Sequence, residues 1–206
     1  MTYDLIIVGG GIGGSALATV MARAGRRVLL LEKSEHYEDR VRGEWIAPWG
    51  VTETKRLGLY DLLMSAGGHH ITDHVTYDES LAPADCEAAP LPLGIFAPDV
   101  PGPLAIGHPH HCLTLYNAAQ DAGADCLRPV VVETVTLGAH PSVTFSHKGE
   151  TRTASAPLVV GAEGRQSDVR AAAGIPLHQD KPHHWFAGML VDKADLNFGK
   201  RSWRYS

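Results

Sequence analysis

The sequence is short of cysteine, carries no surplus of positive charge and has no long hydrophobic run, and each shortage removes a class of protein. Cys86, Cys112 and Cys126 are its three cysteines. Odd in number, far apart and without a C-x-x-C pair, they signal neither a disulfide framework nor a zinc knuckle. A reducing, cytoplasmic setting is expected from them. Lysine plus arginine number 18 against 23 acidic residues, a formal charge of -5 with no polybasic block. Nucleic acid and anionic membrane are therefore poor partners, and a small-molecule ligand is the better expectation. The first apolar run, Leu5 to Val8, has no basic region ahead of it. It is far shorter than a secretory core or the roughly 20 residues of a membrane span, so neither export nor a transmembrane segment is expected.

What is present is ample apolar material, 44% hydrophobic against 20% charged residues. At roughly 150 residues per domain, 206 residues allow one large domain, or one domain and part of a second. The aliphatic run Leu5–Val8 has the composition of a parallel strand buried on both faces. Glycines at 9, 10, 11, 13 and 14 follow it, then an alanine-rich helical stretch from Ser15 to Ala24 closed by Gly25. Val28 to Leu31 repeats the strand composition and stops at Glu32, which completes a βαβ unit.

Further along, Glu38 to Gly50 reads as irregular, Thr52 to Met64 as two short helical pieces broken at Gly58, and Ile71 to Tyr77 as a half-buried strand. Prolines recur from Pro83 to Pro109, so residues 81–109 are expected as loop or edge-strand material outside the main sheet. Helical spacing returns from His110 to Ala122. Val130–Leu137, Ser142–His147 and Glu150–Ala154 then form an antiparallel three-strand meander with turns at Pro141 and Lys148-Gly149. A second strand-to-glycine-to-helix junction follows: Leu158-Val159-Val160, Gly161-Ala162-Glu163-Gly164, and a helix from Gln166 to Ala173.

Gly9-Gly10-Gly11-Ile12-Gly13-Gly14 satisfies G-x-G-x-x-G, and its context makes it specific. It follows a buried strand, opens a helix, and is succeeded 18 residues after Gly14 by the acidic Glu32 at the end of the next strand. That is the dinucleotide fingerprint. Gly9 suits the tight turn, Gly11 lets backbone approach a pyrophosphate, and Gly14 allows close packing of helix on strand. Phosphates would meet N–H groups at the helix N-terminus. Glu32, with Lys33 beside it, would accept hydrogen bonds from the adenosine ribose and repel a 2′-phosphate, which selects FAD or NAD over NADP at this site.

The choice between FAD and NAD turns on the later junction. Leu158 to Arg170, with Glu163-Gly164, Ser167 and Arg170 in sequence, resembles the strand–Asp-Gly–x-x-Ser–x-x-Arg motif of the FAD-dependent aromatic hydroxylases, the para-hydroxybenzoate hydroxylase family. Arg42-Gly43-Glu44, Arg56-Leu57-Gly58-Leu59 and the helix ending Ala122-Gly123-Ala124 agree, so the resemblance spans nearly the whole chain. It implies an α/β fold: a Rossmann-like FAD-binding domain with a parallel sheet and a three-strand meander, plus an incomplete β-rich substrate domain. The FAD-binding domain would comprise residues 1–70 and 108–178, and the partial substrate domain 71–107 and 179–206.

In that family the later motif lies against the ribityl-pyrophosphate region of the flavin. The resemblance therefore adds Arg42, His111, Val131, Glu163, Gly164 and Arg170 to the cofactor-binding candidates Gly9, Gly11, Gly14, Glu32 and Lys33. Two positions depart from the family: Glu163 stands where it has aspartate, and His110 or His111 where it has an arginine before the helix. The implied reaction is monooxygenation, in which NADH or NADPH transiently reduces FAD and a small organic substrate is hydroxylated with O₂. The family continues for roughly as long again, so this chain is expected to be its N-terminal portion, with a second chain as one source of the remainder. A related flavin halogenase or reductase, an NAD-dependent dehydrogenase, and an inactive fragment or binding module are the alternatives.

No acid, base or nucleophile stands out, and no catalytic residue is named. His70 and His74 at i, i+4, and His108, His110 and His111 beside Cys112, lack an acidic partner at a recognisable spacing, so no metal site is expected. Trp45 and Trp49 are expected as packing residues.

Overall fold

The computed structural model describes residues 1–39 and 45–185. Arg42, and the part of the expected substrate domain from 186 to 206, lie outside the described residues. In chain order the elements are β1 (Leu5–Val8), α1 (Ile12–Arg23), β2 (Val28–Leu31), β3 (Trp45–Ile46), α2 (Pro48–Arg56), α3 (Tyr60–Ser65), β4 (His69–His70), β5 (Asp73–His74) and α4 (Pro83–Ala88). There follow β6 (Leu91–Pro92), a 3₁₀ turn at Leu93–Phe96, β7 (Leu104–Ala105), α5 (His108–Asp121), β8 (Asp125–Leu127), β9 (Val131–Thr136), β10 (Ser142–His147), β11 (Glu150–Ser155), β12 (Val159–Gly161) and α6 (Asp168–Ala172).

β12, β1, β2 and β8 lie in that order in a sheet whose pairings are all parallel. β9, β10 and β11 form the antiparallel meander. All four residues of β1 and all four of β2 are buried, because each face of the sheet is covered by a different layer. Ile6, Val8, Leu29 and Leu31 pack with Val143, Phe145 and Ala154 of the meander. Their neighbours Leu5, Ile7, Val28 and Leu30 pack with Ala18 and Ala22 of α1 and Tyr116 and Ala119 of α5. The strict alternation of side chains along a strand divides an unbroken apolar run between two cores, and each large aliphatic so buried is worth about 1.5–3 kcal/mol.

The main departures from expectation lie between residues 45 and 127. β8, too short and too polar at Asp125 to register as a strand, completes the parallel sheet through its pairing with Leu29–Leu31. The proline-rich stretch is more ordered than loop. Pro83 and Pro109 stand in the first turns of α4 and α5, where a missing N–H costs nothing and a fixed φ helps. β7 is the centre of a second small sheet, paired antiparallel with β3 and β4. Val100, Leu104 and Ile106 join Val51, Leu59, Leu63 and Leu115 in a third cluster, which ties the end of the excursion back to α2, α3 and α5. Ile71–Tyr77 is not one strand: only Asp73–His74 is extended, paired with Leu91–Pro92. Trp45 and Trp49 are surface residues, 54% and 66% exposed, rather than core.

Candidate functional site

Because β1, β2 and β12 run in parallel, the turns that follow them emerge at one edge of the sheet. The Gly9 N–H donates to the Leu31 carbonyl at 2.7 Å, and the Ala162 N–H donates to the Val8 carbonyl at 2.6 Å. Gly9 has φ +105°, and a Cβ there would lie 2.5 Å from the Ala162 carbonyl carbon and oxygen. Only glycine meets both demands. The two glycine motifs, far apart in sequence, are thus in van der Waals contact. A Cβ on Gly14 would stand 1.9 Å from the Gly9 carbonyl oxygen, so the third glycine lets α1 start against β1. At Gly11 and Gly13, by contrast, a Cβ would meet nothing within 4 Å. The N-terminus of α1 therefore has an open flank. Its cap Gly11 makes no side-chain cap bond, and no acidic residue occupies its first turn. Its leading N–H groups have no intrahelical acceptor and sit at the positive end of the helix dipole, a setting for a phosphate.

Glu32 is buried at the end of β2. Its Oε2 accepts the Gly10 N–H at 2.6 Å and its Oε1 accepts the Ser34 N–H at 2.7 Å. The carboxylate thus shapes the glycine turn itself, a role the sequence reading did not assign, while each oxygen keeps acceptor capacity for a ribose hydroxyl. The Gly10 carbonyl accepts from Ser15 Oγ at 2.7 Å and from the Tyr37 hydroxyl at 2.5 Å. Ser15 and Tyr37 were missed because their partner is backbone, which leaves no trace in a motif. The Glu32 backbone bonds Leu127 and Val130 on either side of Arg128, which sets Val131, 65% exposed, beside the same edge. Lys33 is exposed.

In the second motif Glu163 closes on its own turn. It accepts from Ser167 Oγ through Oε2, and from the Asp168 N–H at 3.0 Å through Oε1. Ser167 in turn caps α6, accepting the Arg170 N–H at 3.0 Å. The extra methylene relative to aspartate is what the carboxylate spends reaching this helix start. Gly164 takes φ +81°. Arg170 Nη1 donates to the Arg165 carbonyl at 3.0 Å, and its Nε is buried without a partner.

His111 lies on α5, 2% exposed, with Nδ1 unpartnered. Burial, reinforced by neighbouring His108, pushes its pKa down to about 4. At neutral pH it is an uncharged imidazole offering one N–H, where a family arginine would offer a bidentate cation. Cys112 Sγ lies 3.7 Å from His108 Nε2, and burial drives the thiol up to about 11, so it is no thiolate nucleophile at neutral pH. His70 and His74 stand on separate short strands rather than one helix turn. His70 Nε2 pairs with the Tyr60 hydroxyl at 2.9 Å.

These features fit a dinucleotide with a pyrophosphate: an open glycine cradle at a helix N-terminus, a buried carboxylate one strand away, and the second glycine turn pressed against the first. Comparison with known proteins agrees. The sequence profile of the FAD binding domain family matches residues 2–204. Squalene monooxygenase of Mus musculus is 33% identical over 201 residues, covering 93% of this chain and 33% of that protein. Squalene epoxidase 6 of Arabidopsis thaliana is 32% identical over 176 residues, covering 81% of this chain and 32% of the relative. This chain therefore spans about one third of the length of those curated relatives. In three dimensions it superposes on the anhydrotetracycline hydroxylase OxyS of Streptomyces rimosus with a TM-score of 0.73 at 23% identity, over 89% of this chain and 36% of that one. With p-nitrophenol 4-monooxygenase PnpA of Pseudomonas putida the TM-score is 0.71 at 21% identity, over 84% and 44%. At those identities the likeness shows a shared fold. The profile match over nearly the whole chain goes further: this chain belongs to the FAD binding domain family.

Proposed function

We propose that the chain is the FAD-binding portion of a flavin-dependent monooxygenase that inserts oxygen into a small organic substrate, with NADH or NADPH as reductant. One observation carries the reading: Gly9 and Ala162 touch, so the G-x-G-x-x-G turn and the Glu163-Gly164 turn form one edge. A dehydrogenase would need only the first of them. The curated relatives named as squalene monooxygenases and epoxidases support oxygen insertion into an organic molecule. When bound, FAD supplies the redox chemistry, taking electrons from the nicotinamide and passing them to O₂.

The chain's own residues bind and orient. In this proposal Gly9, Gly11 and Gly14 shape the α1 start that receives the pyrophosphate, and Glu32 accepts from the ribose, with Lys33 and Val131 flanking the adenosine. His111, Glu163, Gly164 and Arg170 line the approach toward the flavin, as does Arg42. The division into a FAD-binding domain of residues 1–70 and 108–178 and a partial substrate domain of 71–107 and 179–206 belongs to the same proposal. The separate β5–β6 ribbon supports its first boundary. A cytoplasmic setting is supported by the three free cysteines. Among the described residues no helix is long and apolar enough to cross a membrane.

The test is ligand choice. Purified chain incubated with FAD and freed of unbound flavin should retain the visible flavin band, and FAD at 100 times Kd should stabilise the fold by about 2.7 kcal/mol through mass action. Stabilisation by NAD alone would sink the assignment.

A further inference from the structure

Beside the glycine turn, three side chains make an arrangement that no dinucleotide motif requires. Tyr37 and Tyr116 meet edge to face with ring centroids 6.5 Å apart. The Arg128 guanidinium lies over both, 4.5 Å from the Tyr116 centroid and 5.4 Å from that of Tyr37. Tyr116 is buried on α5 among the residues that pack on α1 and the sheet, so it is a fixed platform. Tyr37 is only half-buried and stands in the segment after β2, where its ring packs against the α1–α5 core and these two contacts and its own hydroxyl bond set its orientation. That hydroxyl donates to the Gly10 carbonyl. The other end of the same residue is held by Glu32, which accepts the Gly10 N–H. Arg128 is fixed next to Glu32 by backbone: Leu127 accepts the Glu32 N–H, and Val130 donates to the Glu32 carbonyl. One of its terminal nitrogens, Nη1, is buried and unpaired.

We propose that Tyr37 and Arg128 are positioning residues for the cofactor: Arg128, stacked on Tyr116 and Tyr37, holds the Tyr37 hydroxyl on the Gly10 carbonyl and so presets the glycine turn for FAD. The inference rests on the FAD site argued above and deepens it. A cation over an aromatic face restrains the ring at modest cost in freedom, since the guanidinium is planar and stacks. Without that restraint the segment after β2 could turn Tyr37 outward. The Gly10 carbonyl would then keep Ser15 alone. A turn that must be ordered on binding loses affinity relative to one already in place. The effect belongs on ligand affinity more than on the fold, because Tyr37→Phe keeps the ring that packs beside Tyr116 on the α1–α5 side of the sheet, and Arg128 is not among the residues of that core.

The experiment is FAD titration of the whole chain by flavin fluorescence, with the melting temperature of the FAD-free form measured alongside. Tyr37→Phe keeps the ring and deletes only the hydroxyl. It should weaken FAD binding about 5- to 10-fold, the loss of one neutral hydrogen bond, with the FAD-free melting temperature little changed. Arg128→Ala should weaken binding by a similar factor, and the double variant by less than the product, because both act through one bond. Arg128→Lys, which keeps charge but not the planar stack, should fall between parent and Arg128→Ala. If Arg128→Ala proves too unstable to titrate, the Gly10 amide resonance decides. It should move the same way in Tyr37→Phe and in Arg128→Lys without ligand. Unchanged FAD affinity in Tyr37→Phe and Arg128→Lys, or an unmoved Gly10 resonance, overturns the proposal while the parent's FAD binding leaves the site reading intact. A parent that takes up no FAD overturns both.

Discussion

Gly14 lies so close to Gly9 that a Cβ on the former would stand 1.9 Å from the latter's carbonyl oxygen, whereas a Cβ on Gly11 or Gly13 would meet nothing within 4 Å. Glycines of a single motif thus serve separate ends, and alanine substitution separates them. Gly14→Ala forces β1 and α1 apart and should destabilise the FAD-free chain by about 1–3 kcal/mol, the usual cost of overpacking. Gly13→Ala, within a helix and with open space around it, should be neutral or stabilise by up to about 1 kcal/mol. Gly11→Ala should leave the FAD-free fold unchanged and yet lose FAD, since its methyl would stand where the pyrophosphate must approach. Urea unfolding without ligand, paired with FAD titration, checks all three. A Gly11→Ala chain that binds like the parent would remove the phosphate from this turn.

That contrast marks what was legible in the residues. The βαβ unit follows from aliphatic runs bounded by glycine, because burial on both faces leaves no room for polar interruption, and the meander follows from alternation, because one face of each strand packs inward while the other meets solvent. β8 escaped because Asp125 opens it: the carboxylate takes the Tyr3 hydroxyl at 2.8 Å and so tolerates its place at a strand start. The proline-rich excursion misled because proline breaks a helix interior but favours a first turn, and sequence alone did not say which was in force at Pro83 and Pro109. In the site, Gly9, Gly14 and Glu32 were legible as types at a spacing. Ser15, Tyr37 and Arg128 were not, since their partners are a backbone carbonyl and two aromatic rings assembled from three distant segments. Trp45 and Trp49 show the reverse error, large apolar side chains taken for core that lie on the surface.

Glu32 clamps the glycine turn and in the proposed reading also accepts from the ribose, and its variants should separate the two roles. Replacement by alanine removes the acceptor of the Gly10 and Ser34 N–H groups, and a buried N–H left unpaired costs about 1–3 kcal/mol. Unfolding of the FAD-free chain should record that loss. Loss of the charge-assisted ribose contact would weaken FAD binding by a further roughly 10- to 150-fold. Glu32→Gln keeps one carbonyl oxygen for the Gly10 N–H and should recover much of the stability but less of the affinity. Equal FAD affinity in the parent and in both variants would leave the carboxylate a purely structural clamp.

The Ser167 cap offers a narrower check on the second turn. Its Oγ both donates to Glu163 and accepts the Arg170 N–H, so Ser167→Ala should cost about 1 kcal/mol. Loss of the cap should also speed hydrogen exchange at the Arg170 amide. If that amide exchanges as slowly as in the parent, the cap does not hold α6.

The pH dependence of stability should carry the mark of His111. Its imidazole is 2% exposed, and burial together with His108 holds its pKa at about 4, below the ordinary value near 6.5. Between those two values the unfolded chain binds a proton at this position that the folded chain refuses, so acid favours unfolding. The stabilising contribution of the neutral ring is therefore complete above about pH 6.5 and is lost as pH falls toward 4, with a slope of at most about 1.4 kcal/mol per pH unit. From pH 7.5 to pH 5.0 the parent should lose about 2 kcal/mol more than His111→Gln, which cannot titrate. Carboxylates held below their ordinary range, such as Asp4 by the Arg27 backbone and side chain, lose stability in acid as well, but equally in parent and variant. Taking the difference removes them. Urea unfolding of both chains at the two pH values measures it, and parallel losses would mean that the ring is hydrated enough to accept its proton in the folded state.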